Sequence, residues 1–348
     1  MSKNVFVGMS GGVDSSVTAL LLRQRGYRVT GVYMKNWTKS IGSFKCPWRD
    51  DYRDVKRVSV DLDIPLLVYD FEKEYRTKVV DYMINGYKEG ITPNPDIICN
   101  QEIKFKLFYD LSLQNGADLI ATGHYAKIVN GHLKTAIDQS KDQTYFLYRM
   151  SQESLTKTLM PVGDYKKTEI RKIAKEHNLA TADKKDSQGI CFIGEVGIKE
   201  FLINELGPQP RGPIIDDQGK EVGWHDGAIF YTIGQRHGLN IGGGLPYYVI
   251  DKDIPKNIVY VSRNLDNQKL WANEVNLNNF YFTYNNFDYI NKKLKVRIRY
   301  RGDLVNCKLK VTGQKAKLEL DESVKAIAKG QSAVLYYNSY CVGGGIIV

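Results

Sequence analysis

Apolar and polar positions in the first part of the chain predict strands and helices in alternation. Short runs of β-branched and aromatic residues predict four strands, at residues 5–9, 28–34, 66–69 and 119–122. Stretches with helical spacing predict the intervening helices at 17–25, 52–62, 75–89 and 103–113. Strict alternation of this kind predicts a doubly wound parallel sheet that binds its ligands at the carboxyl ends of the strands.

Later in the chain, the pattern changes twice. Prolines and glycines between Gly207 and Pro213 cannot form a helix interior and indicate a domain boundary. Short β runs with glycine turns follow, and residues 293–301 then alternate with period two, which predicts one strand with an apolar face and a cationic face. We therefore predict an N-terminal α/β domain at 1–206, a small central β-rich domain at 207–270 and a C-terminal antiparallel β-barrel at 271–348.

Positive charge is concentrated in the predicted barrel. The net charge of the chain is +10, and residues 291–330 carry twelve Lys or Arg against four acids, a net of +8. Such a concentration favours a polyanionic partner, although a lysine-rich solvated surface would give the same composition.

The five cysteines are an odd number without paired spacing, so we expect reduced thiols rather than a disulfide framework or a zinc site. Apolar runs are too short for a membrane span, and the first core strand begins too early for a signal peptide. We expect a cytoplasmic protein, a monomer, with no membrane partner.

The loop after the first predicted strand is Ser10-Gly11-Gly12-Val13-Asp14-Ser15-Ser16. Unpaired N–H groups at the start of the following helix, together with two glycines, suit the binding of phosphate. Asp14 fits a Mg²⁺ partner or a helix N-cap. No Gly-Lys-Ser/Thr follows, so the loop is not a P-loop of the kinase kind, and an ordinary strand-to-helix turn is the alternative.

Two cysteines have sequence neighbours that favour a reactive thiol. Cys99 follows two prolines and is predicted to lie at or just before a helix N-terminus, near Lys104 and Lys106, which would favour its thiolate. Asp96 is a candidate proton acceptor or a hydrogen-bond partner for a base. Cys191 lies between Gly189 and Gly194 in a segment that could carry its thiol to a partner. We assign the remaining three to packing: Cys46, Cys307 and Cys341.

Several long motifs in order resemble the bacterial tRNA-specific 2-thiouridylases of the PP-loop ATP pyrophosphatase superfamily. They lie at residues 8–16, 94–106, 121–125, 141–147, 186–193 and 232–239, so the resemblance covers essentially the whole chain. It implies a nucleotide domain of the adenine nucleotide alpha hydrolase type, and 2-thiolation of wobble uridine 34 in the tRNAs for Lys, Glu and Gln. The chain departs from the family at residues 38–46, where a more acidic linker is expected.

The resemblance also implies roles for individual residues. Cys99 would be the nucleophile and Cys191 the persulfide carrier, with a disulfide between them during the cycle. The residues implied to bind ATP are Gly8, Met9, Ser10, Gly11, Gly12, Val13, Asp14, Ser15, Met34 and Gly123. Those implied to meet the target base are Asn94, Pro95 and Asp96. Those implied to contact the rest of the tRNA are Lys141, Asp142, Gln143, Arg299 and Tyr300, with His124 and Gln331 as further contacts or specificity positions.

The chemistry of uracil agrees with these roles. Its C2 oxygen is a poor leaving group, so adenylation by ATP with Mg²⁺ makes AMP the leaving group and releases pyrophosphate. Sulfur, supplied by a donor protein such as a cysteine desulfurase or a sulfur relay protein, would attack C2 as the persulfide or as hydrosulfide freed by Cys99. Either route leaves a disulfide that needs a reductant. No metal other than Mg²⁺ is expected.

Two other functions remain open at this stage. One is a PP-loop adenylating ligase or amidotransferase acting on a small molecule, which would have no use for the +8 region or a second reactive cysteine. The other is a non-catalytic, nucleotide-sensing RNA-binding protein, which would bind tRNA with steep salt dependence and consume no ATP.

Overall fold

A parallel sheet forms the centre of the N-terminal domain. The computed structural model describes residues 2–42, 46–185, 197–239, 241–242, 245–284 and 287–348. The first strands in chain order are β1 (Asn4–Met9), β2 (Arg28–Lys35), β3 (Leu66–Asp70), β4 (Leu119–Thr122), β5 (Ala126–Val129), β6 (His132–Thr135) and β7 (Thr158–Leu159). Five of them form the parallel order β3-β2-β1-β4-β7. The predicted doubly wound sheet and its four strands are confirmed, with β7 as an addition at one edge.

The helices cover both faces of this sheet. They are α1 (Val13–Gln24), α2 (Trp48–Asp61), α3 (Glu72–Tyr75), α4 (Asp81–Lys88), α5 (Pro95–Ile98), α6 (Tyr109–Gln114), α7 (Gln152–Thr156), α8 (Lys167–Glu176) and α9 (Ile198–Leu206). Along β1, Val5 and Val7 pack into an apolar cluster with α1, whereas Phe6 packs on the opposite face against the helices around residues 75–109. Among the described residues, no helix combines the length and the apolar character that a bilayer span requires.

All four predicted helix starts are too late, and α2 begins at Trp48 rather than 52. α1 begins at Val13 rather than 17, so half of the predicted phosphate loop is the first turn of a helix. π-helical turns, at Arg76–Val80 and Cys99–Phe108, join α3 to α4 and α5 to α6, and both joined helices begin before their predicted starts. Pro95 lies in the first turn of α5, where the backbone N–H has no partner within the helix, so a proline removes no hydrogen bond there. The side chain of Asn94 caps the helix.

The central domain is a small mixed sheet. Its strands are β8 (Gly212–Asp216), β9 (Glu221–His225), β10 (Tyr248–Asp253) and β11 (Ile258–Ser262), in the order β10-β11-β8-β9. β11 and β8 run parallel, and the other neighbours run antiparallel. The predicted β-rich central region is therefore present.

A closed barrel follows. Its strands are β12 (Trp271–Phe282), β13 (Leu294–Arg297), β14 (Val305–Thr312), β15 (Lys315–Lys325), β16 (Ser332–Tyr337) and β17 (Tyr340–Ile347). They run antiparallel in the order β12-β15-β14-β13-β16-β17, and β17 pairs back with β12 to close six strands. The predicted C-terminal antiparallel barrel is confirmed.

The strand predicted over residues 293–301 is shorter than its pattern. β13 ends at Arg297 because the chain then turns, with the Gly302 N–H donating to the Arg299 carbonyl oxygen at 3.0 Å. Arg301 takes a positive φ of 59° in this turn. Arg299 and Tyr300 therefore lie on a turn at the end of a strand and not on a strand face.

Candidate active site

A tight loop joins β1 to α1 at the carboxyl edge of the sheet. The Ser10 N–H donates to Ser15 Oγ at 3.2 Å, and Ser15 Oγ donates to the Gly12 carbonyl oxygen at 3.1 Å. Gly12 is the N-cap of α1, and no side chain caps the helix. The N–H groups of the first turn therefore suit an anion held against the helix start.

Glycines let three segments meet closely around this loop. A Cβ on Gly11 would lie 2.6 Å from the Asp51 carbonyl oxygen, and Gly11 has a φ of +77°. A Cβ on Gly123 would lie 2.8 Å from the Ser15 backbone nitrogen, and one on Gly8 would lie 3.0 Å from Met34 Cε. These glycines form a cradle with no room for side chains, so the residues present fit a nucleotide phosphate chain.

A cavity of about 400 Å³ opens above the loop. The residues predicted from the sequence that line it are Gly8, Met9, Ser10, Gly12, Val13, Asp14, Ser15, Met34, Gly123, His124, Lys141, Gln143 and Tyr300. Its charged lining is Lys104, Lys141, Lys167, Lys185 and Arg301 against Asp14 and Asp51. An excess of cations over carboxylates suits a polyphosphate.

Asp14 has two partners that the sequence did not indicate. Its carboxylate accepts from Lys167 Nζ at 2.7 and 2.8 Å and from Tyr125 Oη at 2.8 Å. The predicted alternative that Asp14 caps α1 is therefore wrong. Lys167 is itself buried at the start of α8, so its ammonium is committed to this carboxylate at the floor of the cavity.

Cys99 lies inside a helix rather than at its start. The helix begins at Pro95, Cys99 is the first residue of the π-helical turn, and its side chain is only 3% exposed. It is not among the described residues that line the cavity. The predicted position at or before the N-terminus is corrected by one turn of helix, because Pro95 starts the helix instead of keeping the chain extended.

Lys104 joins the helix of Cys99 to the strand end that carries His124. Its Nζ lies 3.3 Å from His124 Nε2, and its charge also acts on Asp96. Burial raises the pKa of the half-buried Asp96 above its usual value, and Lys104 opposes that shift. A carboxylate with a raised pKa is a better proton acceptor, and the role of Asp96 stays a prediction.

His124 is buried and held at both ring nitrogens. Nδ1 lies 2.8 Å from Thr122 Oγ1, and the ring packs against Phe105 at 5.6 Å between centroids. Because an ammonium only donates, Nε2 accepts from Lys104, and Nδ1 carries the proton toward Thr122. Burial lowers the pKa of His124 well below its ordinary value, and the Lys104 charge lowers it further, so the imidazole is neutral.

The neutrality of His124 gives a pH prediction. The unfolded histidine has a pKa of about 6.5, and the folded one titrates lower, so below about pH 6.5 the unfolded state binds the extra proton. Stability should therefore fall on acidification from about pH 6.5, with this group adding up to about 1.4 kcal/mol per pH unit. In urea unfolding between pH 7.5 and 5, the free energy of unfolding of His124→Gln should fall less steeply with pH than that of the wild type. The exposed His237→Gln serves as control and should keep the wild-type slope; equal slopes in all three would refute the assignment.

The C-terminal barrel holds the loop that precedes Asn94 and Pro95. The Thr92 N–H donates to the Lys329 carbonyl oxygen at 2.8 Å, and Gln331 Nε2 donates to the Thr92 carbonyl oxygen at 2.9 Å. A Cβ on Gly330 would lie 2.9 Å from the Thr92 backbone. Gln331 therefore braces the segment that carries the predicted base contacts, of which Asn94 and Pro95 are buried in this structure.

The remaining predicted tRNA contacts differ in exposure. Tyr300 stands at the cavity with its ring 4.4 Å from that of Phe146, and Arg299 is exposed outside the cavity. Gln143 Oε1 accepts the Tyr125 N–H at 2.8 Å.

Asp142 is buried below its neighbours, where it accepts from the Ala136 N–H at 3.0 Å and from Thr144 Oγ1 at 2.6 Å. Burial raises its pKa, although these hydrogen bonds and Arg297 lower it in part. Its side chain therefore organises the neighbouring turn from inside the protein.

Cys191 lies outside the described residues. The chain that leads toward it is fixed, since Lys184 Nζ lies 2.7 Å from Asp51 and 2.7 Å from Asp54. Lys185, the next residue, lines the cavity. The described part of the chain before residue 186 thus ends at the nucleotide cavity.

Comparisons with known proteins cover the whole chain. Family models match as a tRNA methyl transferase HUP domain at 3–195, a tRNA methyl transferase PRC-barrel domain at 199–263 and an aminomethyltransferase beta-barrel domain at 273–347. The tRNA-specific 2-thiouridylase MnmA of Streptococcus thermophilus is 45% identical over 99% of this chain and 94% of its own length. That of Enterococcus faecalis is 46% identical over the same shares. A solved 4-thiouridine synthetase in complex with RNA and ATP is 22% identical, with a TM-score of 0.39 over 54% of this chain and 44% of that one, too partial a likeness for any argument.

Proposed function

The chain belongs to the tRNA-specific 2-thiouridylase family, and from that premise we propose how its residues make 2-thiouridine. The enzyme is a tRNA sulfurtransferase that uses ATP, as the motifs predicted. The small-molecule ligase and the non-catalytic RNA-binding protein are thereby set aside. The roles of individual residues, the position of the uridine and the order of the steps are the content of the proposal.

ATP lies in the cavity above the β1–α1 loop, with its phosphates on the glycine cradle and the open N–H groups of α1. Lys104 and Lys141 line the same cavity and stabilise the charge that develops on the leaving pyrophosphate, whereas Lys167 holds Asp14 in place. Among the described residues, no three His, Cys, Asp or Glu side chains group as metal ligands. Mg²⁺ would therefore take most of its ligands from the phosphates, with Asp14 as the protein oxygen ligand.

The target is uridine 34 of the tRNAs for Lys, Glu and Gln, turned out of the anticodon loop. An unpaired loop base can present its C2 oxygen in a pocket, whereas a base inside a helix cannot. Asn94, Pro95 and Asp96 meet the base from the start of the Cys99 helix. The C2 oxygen then attacks the α-phosphorus, pyrophosphate leaves, and AMP is bonded to C2 through oxygen.

Sulfur transfer uses the two cysteines. A donor protein loads Cys191 as a persulfide, and the Cys99 thiolate attacks the Cys191 sulfur and releases hydrosulfide. Hydrosulfide adds to C2, AMP leaves, and a Cys99–Cys191 disulfide remains for a thiol reductant to open. Direct attack of the persulfide on C2 gives the same products. Because Cys99 is buried here, the entry of the base has to expose it.

The basic barrel provides the main contact with the tRNA outside the active site. Lys141, Gln143, Arg299 and Tyr300 lie at or near the mouth of the cavity, and Gln331 and His124 brace its walls. Asp142 acts from inside the protein by holding the turn that presents Lys141. We place the enzyme in the cytoplasm as a monomer, the setting that suits a reducible cysteine cycle.

The observation that carries this proposal is the joining of a phosphate cradle to the helix of Cys99 through Lys104 and His124. The experiment incubates the protein with MgATP, a persulfide source and a tRNA transcript, followed by mass spectrometry of nucleosides and fragments. We expect 2-thiouridine at position 34 together with AMP and pyrophosphate. A transcript with cytidine at position 34 should stay unmodified. Sulfur at another position would overturn the assignment of the target.

A further inference from the structure

A second cleft adjoins the active-site cavity. It has a volume of about 540 Å³ and lies between the turn at residues 139–142 and the barrel turn at 301–304. Lys141 and Arg301 line both this cleft and the nucleotide cavity. These two cations therefore lie where the nucleotide cavity adjoins the cleft.

The lining of the cleft is cationic and includes Arg297, which has no hydrogen-bonded carboxylate in the described chain. Arg297 is only 14% exposed, and within the described chain no acceptor reaches its buried Nε. One of its terminal nitrogens lies 3.6 Å from the Asp142 carboxylate, too long for a good hydrogen bond. The Arg297 guanidinium therefore adds positive charge to the cleft without a hydrogen-bonded carboxylate in the described chain.

Asp142 does not neutralise the cleft fully. Its two oxygens already accept from the Ala136 N–H and the Thr144 hydroxyl. The other carboxylate of the lining is Asp303, against Lys141, Arg297 and Arg301, so the cations exceed the carboxylates. The Arg301 guanidinium lies 5.2 Å from the centre of the Tyr300 ring, which places it beside an aromatic platform at the boundary of the two cavities.

We propose that this cleft binds the phosphodiester that adjoins the target uridine, with Arg297 and Arg301 as its donors. The inference deepens the proposed function and rests on it. A guanidinium donates two parallel hydrogen bonds to a phosphate, and a terminal nitrogen of Arg297 would gain a closer acceptor than the Asp142 carboxylate at 3.6 Å. Tyr300 separates the target base in one cavity from its neighbour's phosphate in the other. Pyrophosphate released from ATP is the same kind of anion from a different source.

The first test compares Arg301→Gln with Arg57→Gln, which removes an equal charge from the exposed surface of α2. With an anticodon stem-loop RNA, Arg301→Gln should raise KM for RNA roughly 10- to 100-fold with kcat within about twofold, since a hydrogen bond to a charged group is lost. The slope of log K against log salt should fall by about 0.7, the value for one phosphate of a single strand. Arg57→Gln should change neither quantity. If Arg301→Gln instead alters only KM for ATP or inhibition by pyrophosphate, the cleft belongs to the nucleotide.

The second test removes the charge from the RNA. Stem-loops carrying one neutral methylphosphonate, either directly before or directly after the target uridine, are assayed with wild type, Arg301→Gln and Arg297→Lys. Arg297→Lys keeps the charge beside Asp142 and so guards against misfolding. At one of the two positions the wild type should lose roughly 10- to 100-fold in kcat/KM, and Arg301→Gln should lose little more. Losses that multiply independently at both positions overturn the proposal. Wild type with unmodified RNA must form 2-thiouridine in the same assay; otherwise the failure lies in the proposed function.

Discussion

The Cys99→Ser enzyme is expected to release pyrophosphate from ATP in the presence of tRNA and to form no measurable 2-thiouridine. A serine hydroxyl ionises far less readily than a thiol and cannot form a disulfide with Cys191. Loss of the sulfur-transfer step by at least roughly 1,000-fold corresponds to about 4 kcal/mol in the barrier. Adenylation should persist because Cys99 is not among the described residues lining the nucleotide cavity. Nucleoside mass spectrometry and a pyrophosphate assay on the same samples separate the two steps.

Two controls make that result specific. Cys307→Ala removes a buried thiol from the barrel core and should leave both steps intact. Cys99→Ala should match Cys99→Ser and excludes an effect of placing a hydroxyl in a buried position. Thiolation by Cys99→Ser at the wild-type rate would show that another residue is the nucleophile. Loss of pyrophosphate release as well would place Cys99 in the adenylation step.

Replacing Gly11 with alanine should weaken ATP binding by roughly 100-fold, about 2.7 kcal/mol. The new Cβ would lie 2.6 Å from the Asp51 carbonyl oxygen, a backbone atom that cannot swing aside. The β1–α1 loop must therefore move, and the phosphate cradle moves with it. Isothermal titration of the variant with MgATP measures the effect.

Gly26→Ala is the matched control. Gly26 has a φ of +83°, close to the +77° of Gly11, but a Cβ there would meet no atom within 4 Å. Both variants pay a similar cost of about 1–2 kcal/mol for an L-residue in this conformation. Only Gly11→Ala should lose ATP affinity, whereas both variants should have a lower melting temperature than the wild type. Equal ATP affinities in the two variants would contradict the cradle.

The sequence predicts regular elements well and their ends less well. Four strands of the parallel sheet follow from apolar runs, whereas β7, at two residues, is too short to leave a pattern. Two prolines before Cys99 suggested an extended approach, but Pro95 is the first residue of a helix. Alternation up to residue 301 suggested a long strand, but Gly302 lets the chain turn four residues earlier.

The sequence likewise predicts some residues of the candidate site and misses others. Motifs identify the residues close together in sequence, such as the loop at 10–16, because their spacing reflects local geometry. Lys167 and Asp14 are 153 positions apart, and only the fold brings them together. Asp142 looks like a surface carboxylate in a polar stretch, and its burial depends on the barrel that packs over it.

The hydrogen bonds between the barrel and the loop at Thr92 affect the order in which parts of the active site are completed during synthesis. Chains emerge from the ribosome N-terminus first, and domains fold largely as units. Most of the nucleotide cavity is built from residues made early, and Tyr300 and Arg301 are its late members. Lys329 and Gln331, which hold the loop before the Cys99 helix, are made later still. A nascent chain would thus hold ATP before its sulfur-transfer helix is braced. Because the brace comes from the barrel, the Cys99 helix would gain it only after most of the barrel has been made.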